Sequence, residues 1–340
     1  MSKNPGFKFG DDDSDDKLTT REPHRLLGRR RREIFLSMAS LDLTLPLHDH
    51  ALSVLTTADA KGKASLTLAI CAAWRAGLLA LGTSFPSTSV PAEPVRPATV
   101  QHVHPTRVKN STKKHMLHAL CHAESYAIDL SWDIILRFGW CPDTWSPAPP
   151  SSCAGAHLPR EFFDDWVRIA GEEATHFTRW STRLEELGGV YGAFPAHGSL
   201  WESAAVTSAS LAARLAVVHC VHEGRGLDVA SMLHSKLSAG GDEASAAILT
   251  MNLAEEVTHV AAGVKWFSQL CTWGGEASPI PLFHTLVRQN FHGDLKPPFA
   301  HEERKTAGMS EEWYLPLCKP KGEGEGGEPA AVELCAEDMG

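Results

Sequence analysis

Two stretches of the chain read Glu172-Glu173-Ala174-Thr175-His176 and Glu255-Glu256-Val257-Thr258-His259, which is one pattern written twice. On a helix, the second glutamate and the histidine of each stretch lie three residues apart and therefore share a face. A carboxylate and an imidazole on one face make half of a di-metal site. A complete site in a four-helix bundle needs two such halves and one glutamate from each of two further helices. The repeat therefore predicts an all-α protein whose bundle surrounds two metal ions.

Apolar residues at helical spacing predict the four helices that such a site needs. We expect them at about residues 111–138, 160–187, 207–237 and 242–270. Paired glycines follow the second and third helices, as is common at helix C-termini. Two further glycines, Gly224 and Gly226, fall inside the third helix, where glycine is unfavourable by up to ~1 kcal/mol each. Their presence indicates a close backbone approach or a helix irregularity.

The two lone glutamates are Glu124 on the first helix and Glu223 on the third. Glu124 lies about 14 residues, or ~21 Å, before the end of its helix, and Glu173 lies about 13 residues, or ~20 Å, after the start of the second. In an antiparallel hairpin these two carboxylates meet at the same level. Glu223 and Glu256 follow the same arithmetic. Each half also repeats Glu-x-x-x-x-Asp on its first helix, in Glu124 with Asp129 and in Glu223 with Asp228.

The predicted metal ligands are Glu124, Glu173, His176, Glu223, Glu256 and His259. Four carboxylates and two imidazoles suit iron or manganese better than structural zinc, which prefers thiolate and imidazole. Six ionisable groups in a helical core would be prohibitive without a cation. We therefore expect two iron ions per chain, with Fe/Fe and Fe/Mn both open.

Other polar residues near these ligands have more than one interpretation. Each ligating histidine needs an acceptor for its other ring nitrogen. The candidates for that role are Glu172, Glu255, Asp129 and Asp228. The two glutamates could instead face solvent, and that alternative stays open. For His219 and His222 we expect a surface or outer role, although His219 could face the site. His197 and Trp201 either line an entrance or pack a crossover.

Composition limits the class of partner and the compartment. The chain has 340 residues, is 43% hydrophobic and 21% charged, and carries a formal net charge of −9, which disfavours nucleic acid and anionic membranes as partners. Eight cysteines without a Cys-x-x-Cys pair predict reduced thiols in an intracellular, cytoplasmic protein. The acidic start differs from a signal peptide. The most apolar stretch, residues 66–81, is short for a membrane span and contains Arg75, so we expect a buried helix.

The chain divides into four predicted regions. Residues 1–17 are an acidic, disordered N-terminus, and residues 18–110 form a helical segment with a Pro-rich linker. Residues 111–318 hold the bundle and a C-terminal extension of shorter helices. Residues 319–340 are a Gly- and Glu-rich disordered tail. The run Arg29–Arg32 is either a solvated helix face or a nuclear signal, and both interpretations stay open.

Several longer motifs resemble an uncharacterised ferritin-like family, domain of unknown function 455. The resemblance covers about residues 45–316 and rests on the following words: His122-x-Glu124 with Ala127-Ile128-Asp129-Leu130; Glu172-Glu173-Ala174-x-His176-Phe177; Tyr191-Gly192 through Pro195-Ala196-His197; Arg214-Leu215-Ala216 leading to Glu223-x-Arg225-Gly226-Leu227-Asp228; Glu256-x-x-His259-Val260 with Trp266-Phe267; and Pro297-Pro298-Phe299. It implies a ferritin-like bundle with a two-metal carboxylate site, more distantly similar to tRNA-modifying di-iron hydroxylases. It supplies no substrate. The chain departs from the family at Gly224, where alanine is usual, and at His219, where proline is usual.

Four functions remain as hypotheses. The first is a non-haem di-iron oxidoreductase that activates O2 to hydroxylate or oxidise a small molecule, with an electron donor that the sequence does not name. The second is a ferroxidase or iron-storage protein, and the third is a tRNA-modifying hydroxylase, which the net charge of −9 disfavours. The fourth is a metal-free scaffold, which the six intact ligands disfavour. We expect no membrane partner, and an oligomer is open.

Overall fold

The computed structural model describes residues 41–82, 90–108, 112–140 and 157–318. These ranges form helices and connecting segments, with three isolated β-bridges and no β-strand. The protein is all-helical over this part of the chain, as the sequence predicts. None of the helices in these ranges is both long and apolar enough to cross a bilayer. The predicted disordered termini and the run Arg29–Arg32 lie outside the described residues.

Two helices precede the long ones: α1, Leu47–Thr56, and α2, Ala60–Arg75. The Asp59 side chain caps α2 by accepting a hydrogen bond from the Gly62 backbone N–H. α2 contains most of the buried helix predicted at residues 66–81, but it ends at Arg75. Beyond it, residues 90–104 run without a helix as far as a single 3-10 turn at Pro105–Arg107.

The first antiparallel pair consists of α3, Lys113–Phe138, and α4, Arg160–Glu186. Thr112 caps α3 through a hydrogen bond from the His115 backbone N–H. The two helices pack along their lengths through buried aromatic and aliphatic side chains, including Trp132, Trp166 and Trp180. At the end of α4, Gly188 adopts a φ of 72°, which glycine takes without a Cβ penalty. Both helices confirm their predicted positions to within two residues.

The third long helix differs most from its prediction. A short crossover helix, α5, Ser199–Val206, comes first, and the long helix then begins with α6, Leu211–Arg214, rather than near residue 207. It continues through a π-helical segment, Leu215–His222, into α7, Glu223–Ala239. The predicted irregularity is thus real, but it precedes the two glycines. A Cβ at Gly224 would lie only 2.8 Å from Arg304 Nη1, so this glycine allows a close approach.

The fourth long helix is α8, Glu243–Trp273, which packs against α7, the π segment and α4. The shorter C-terminal helices are α9, Pro279–Asn290; α10, His301–Thr306; and α11, Glu311–Tyr314. They cover the side of the third and fourth long helices and bury Phe283, Trp313 and Tyr314 against the shared core. The predicted C-terminal extension of shorter helices is therefore present.

Candidate metal centre

The four long helices bring all six predicted ligands to one place. α4 carries Glu173 and His176, and α8 carries Glu256 and His259 at the same spacing. Glu124 comes from the middle of α3, and Glu223 is the first residue of α7, directly after the π segment. Glu173, His176 and His259 are at most 1% exposed, whereas the other three glutamates are partly exposed.

The six side chains form two groups that overlap. One group is Glu124, Glu173, His176 and Glu256; the other is Glu173, Glu223, Glu256 and His259. In each group the potential ligand atoms all lie within 4.8 Å of one another. Glu173 and Glu256 belong to both groups, whereas each lone glutamate and each histidine belongs to one. This sharing is the arrangement expected where two carboxylates lie between two cations.

Several polar atoms in this cluster are buried without an aligned hydrogen-bond partner. Both carboxylate oxygens of Glu173 and the Nδ1 of His176 are in this condition. His176 Nδ1 lies 3.1 Å from Glu256 Oε1, and His259 Nδ1 lies 2.8 Å from Glu173 Oε1, so the lone pairs converge. Orphaned buried polar atoms are costly unless something fills the space between them. A cation at that point would satisfy them.

The outer nitrogen of each histidine is bonded to a glutamate of the other copy of the pattern. His176 Nε2–H donates to Glu255 Oε2 at 2.7 Å, and His259 Nε2–H donates to Glu172 Oε2 at 2.9 Å. In the neutral form of each imidazole, this bond leaves the lone pair on Nδ1, which faces the cluster. The first glutamate of each Glu-Glu-x-x-His therefore acts as the acceptor that a ligating histidine needs, and not as a solvent-facing residue.

Two arginines of α4 hold these outer glutamates in place. Arg168 donates to Glu172 at 2.6 Å and to Thr258 at 2.9 Å, and Arg179 donates to Glu255 at 2.9 Å. Arg168 could have been found from the sequence, because it lies four residues before Glu172 on one helix face. Arg179 could not, because its partner lies on another helix.

The pKa values of neighbouring groups in the metal-free cluster are shifted in opposite directions. Burial raises the pKa of Glu124 to about 8, and burial together with the neighbouring carboxylates raises the pKa of Glu223 well above its usual range. Burial also opposes ionisation of Glu173, but His259 and His176 outweigh it and hold its pKa below the usual value. Burial disfavours the charged forms of both histidines, yet the surrounding carboxylates raise their pKa values well above 6.5.

The donor set fits two divalent cations. Two such ions would balance the charge of the four carboxylates and leave both imidazoles neutral, as ligation requires. The groups contain oxygen and nitrogen donors and no thiolate, which suits iron or manganese rather than a structural zinc. Metal binding by these side chains remains a prediction. The structure shows that the side chains converge.

The two aspartates considered as histidine partners have a different role. Asp129 forms ion pairs with Lys63, from α2, and with Arg96 at 2.7 Å. Asp228 accepts two hydrogen bonds from Arg304, of α10, at 2.8 and 2.6 Å. Each aspartate thus fastens a segment outside the four long helices to a helix that carries a lone glutamate. Of the four candidates for orienting the histidines, the two aspartates do not take that role, because Lys63, Arg96 and Arg304 occupy their oxygens.

The remaining polar candidates pack around the site and lie outside both ligand groups. His219 and His222 are buried, at 2% and 7% exposure, which contradicts the surface alternative and leaves the outer role. His219 packs on Trp166, with ring centroids 4.2 Å apart, and His222 bonds to Ser203 at 2.8 Å. Trp201 is also buried, and its Nε1–H donates to Ala92 O at 3.0 Å. For Trp201 the structure therefore favours packing, and His197 is half-buried with its Nδ1 2.8 Å from Ser199 Oγ.

Removing an outer glutamate should weaken metal binding without removing a ligand. We expect Glu255→Ala to lower the Fe(II) affinity about 10- to 100-fold, because His176 loses the acceptor that fixes its ring. Anaerobic competition against a chromophoric chelator measures this change. Glu255→Gln keeps an acceptor, so its Fe(II) affinity should lie between that of Glu255→Ala and that of the wild type. Equal affinities for wild type and Glu255→Ala would show that this contact has no effect on the centre.

Comparison with known proteins identifies a matching family whose description gives no activity. A family model described as "Protein of unknown function (DUF455)" matches residues 56–315. An uncharacterized protein of Haemophilus influenzae is 38% identical over 154 residues, which are 45% of this chain and 50% of that protein. The match therefore spans about half the length of this relative. No solved structure matches the chain.

Proposed function

This chain belongs to the DUF455 family, whose description assigns no activity, and from the geometry of the site we propose that it is a non-haem di-iron oxidoreductase. In this proposal the protein uses O2 to hydroxylate or oxidise a small organic molecule. The four long helices act as a ferritin-like four-helix bundle. Two iron ions would bind at the centre, and an Fe/Mn pair is the alternative.

The observation that carries the proposal is the pair of overlapping ligand groups. Glu124 and His176 would hold one ion, Glu223 and His259 would hold the other, and Glu173 and Glu256 would contact both. A Glu-x-x-His pair from each of two helices and one glutamate from each of two others is the ligand pattern of ferritin-like di-iron proteins. When bound, two ferrous ions would supply two of the electrons needed to reduce O2, and an external reductant would restore them.

The protein residues have defined tasks in this reaction. Glu255 and Glu172 accept from the Nε2 atoms of His176 and His259, which leaves each Nδ1 toward the cluster, where it would bind a metal ion. Arg179 and Arg168 hold those glutamates by ion pairs of 2.9 and 2.6 Å. Glu173, His176 and His259 are at most 1% exposed, and this burial strengthens the electrostatic contacts between them.

Iron counting together with O2 uptake separates this proposal from iron storage. We expect the Fe(II)-loaded protein to consume O2 and to keep about two irons per chain after repeated additions of Fe(II) and O2, because the site has one set of ligands for each of two ions. Glu124→Ala should reduce both values, whereas the exposed-residue variant Glu276→Ala should match the wild type.

Other outcomes of this experiment assign a different function. Iron that climbs far above two per chain and remains soluble would favour storage in a hollow assembly. Two bound irons that consume no O2 would contradict both the oxidoreductase and the ferroxidase.

A further inference from the structure

The register of the seam between α3 and the third long helix is fixed by one ion pair and by the convergence of Glu124 and Glu223 on one cluster. Asp133, nine residues after Glu124, forms an ion pair with Arg214, nine residues before Glu223. Both side chains are fully buried. The two helices therefore run antiparallel, and the two lone glutamates lie opposite each other. Residues before Glu124 consequently face residues after Glu223.

The crossover helix closes this seam on one side of the glutamates. Between the ion pair and the ligands, Trp201 and Ala204 of α5 pack in a buried cluster with Tyr126, Leu130 and Val218. Val218 precedes Glu223 by five residues, and Leu130 follows Glu124 by six, in agreement with the antiparallel register. This part of the seam is filled by side chains and offers no route to the metals.

On the other side of the glutamates the seam is less filled. The register places Leu120, one turn before Glu124, opposite Gly226, one turn after Glu223. Both residues are partly exposed, whereas Ala170 and Phe177, one turn either side of Glu173 on α4, are at most 1% exposed. Among the described residues, no atom outside its own helix backbone and chain neighbours lies within 4 Å of where a Gly226 Cβ would be.

The opposite side of the centre, between α4 and α8, is polar and occupied. There Arg168 donates to Glu172, and Arg179 donates to Glu255 and, at 2.8 Å, to Asn252 Oδ1. On α3, by contrast, apolar side chains flank Glu124, with Leu120 one turn before it and Ala127 one turn after it. The two approaches to the centre thus differ in chemistry.

We propose that the space between Leu120 and Gly226 is the entrance and binding site for an apolar alkyl or aryl group of the substrate. A charged or strongly hydrated molecule would lose its hydrogen bonds to water there without gaining others, whereas removing an apolar group from water is favourable. Glu124 and Glu223 form the floor of this site, so an occupant reaches the metal centre directly. The inference rests on the proposed function and names the substrate class for the same site.

Cysteine accessibility tests the character of this space without needing a substrate. Gly226→Cys, loaded anaerobically with Fe(II), is treated with benzyl methanethiosulfonate or with its anionic sulfonatoethyl and cationic trimethylammonioethyl counterparts. Wild-type protein treated in parallel gives the background from native cysteines. Ser231→Cys, at an exposed position on the same helix, corrects for the intrinsic reactivity of each reagent.

At each position we compare the labelling rate of the benzyl reagent with the rates of the two charged reagents. We expect this rate ratio to be about tenfold larger at position 226 than at position 231, since burial of an aromatic group is worth more than 1.4 kcal/mol. Leu120→Cys, on the opposite wall, should show the same preference and replaces the first variant if that one folds poorly. Equal preferences at the two positions, or a faster cationic reagent at 226, would overturn the proposal, the latter by indicating a path for hydrated cations. Iron counts on the same samples show separately whether the di-iron assignment fails.

Discussion

Loading the metal-free protein with Fe(II) in the absence of O2 should raise its melting temperature by on the order of 10 °C. A ligand that binds only the folded state stabilises it by about 2.7 kcal/mol per site at a free concentration one hundred times Kd. Two sites contribute twice that amount. The physical source is the relief of repulsion and desolvation at Glu124 and Glu223, whose pKa values burial raises. Anaerobic scanning calorimetry with and without Fe(II) measures the shift.

Glu173→Gln provides the informative variant for this experiment. Glu173 belongs to both ligand groups and is buried to 1% exposure. The substitution removes one buried charge, which should raise the melting temperature of the metal-free protein. It also removes one ligand from each ion, which should lower the melting temperature of the loaded protein, so both effects reduce the shift. Glu276→Gln, at an exposed position, should keep the full shift. Coincident melting curves for wild type with and without Fe(II) would contradict a metal site in the core.

The parts of the structure that the sequence predicted well are those governed by local periodicity. Three of the four long helices lie within a few residues of their predicted positions, because their apolar stripes and terminal glycines act within one helix. The convergence of Glu124, Glu173 and Glu256 also followed from spacing, since antiparallel helices with equal rise bring equal depths together. The repeated Glu-Glu-x-x-His pattern was sufficient for both inferences.

The parts that were missed depend on partners distant in the chain. Nothing in the neighbourhood of Asp129 or Asp228 indicates that Lys63 and Arg304 reach them, because each cation comes from a helix outside the four long ones. The crossed bonds from each histidine to the outer glutamate of the other pattern likewise join α4 with α8. Such pairings follow from the packed structure and leave no periodic trace.

The third long helix illustrates a different limit. Its two glycines indicated an irregularity, but the π segment lies before them, at residues 215–222, in an apolar run without glycine or proline. Gly224 instead makes room for Arg304, and Gly226 adjoins open space. The two glycines, two residues apart, thus lie in different surroundings, one against a side chain and one beside open space. Only the surroundings of each missing Cβ distinguish them.

The metal content of the purified protein tests the central claim most directly. In an anaerobic titration, the wild-type chain should saturate at about two equivalents of Fe(II), one for each ligand group. Glu223→Ala removes a ligand from one group alone and should leave about one tightly bound equivalent, while Glu276→Ala should retain both. A wild-type protein that holds a single zinc and no iron, or a Glu223→Ala variant that binds as much iron as the wild type, would contradict a di-iron centre formed by these residues.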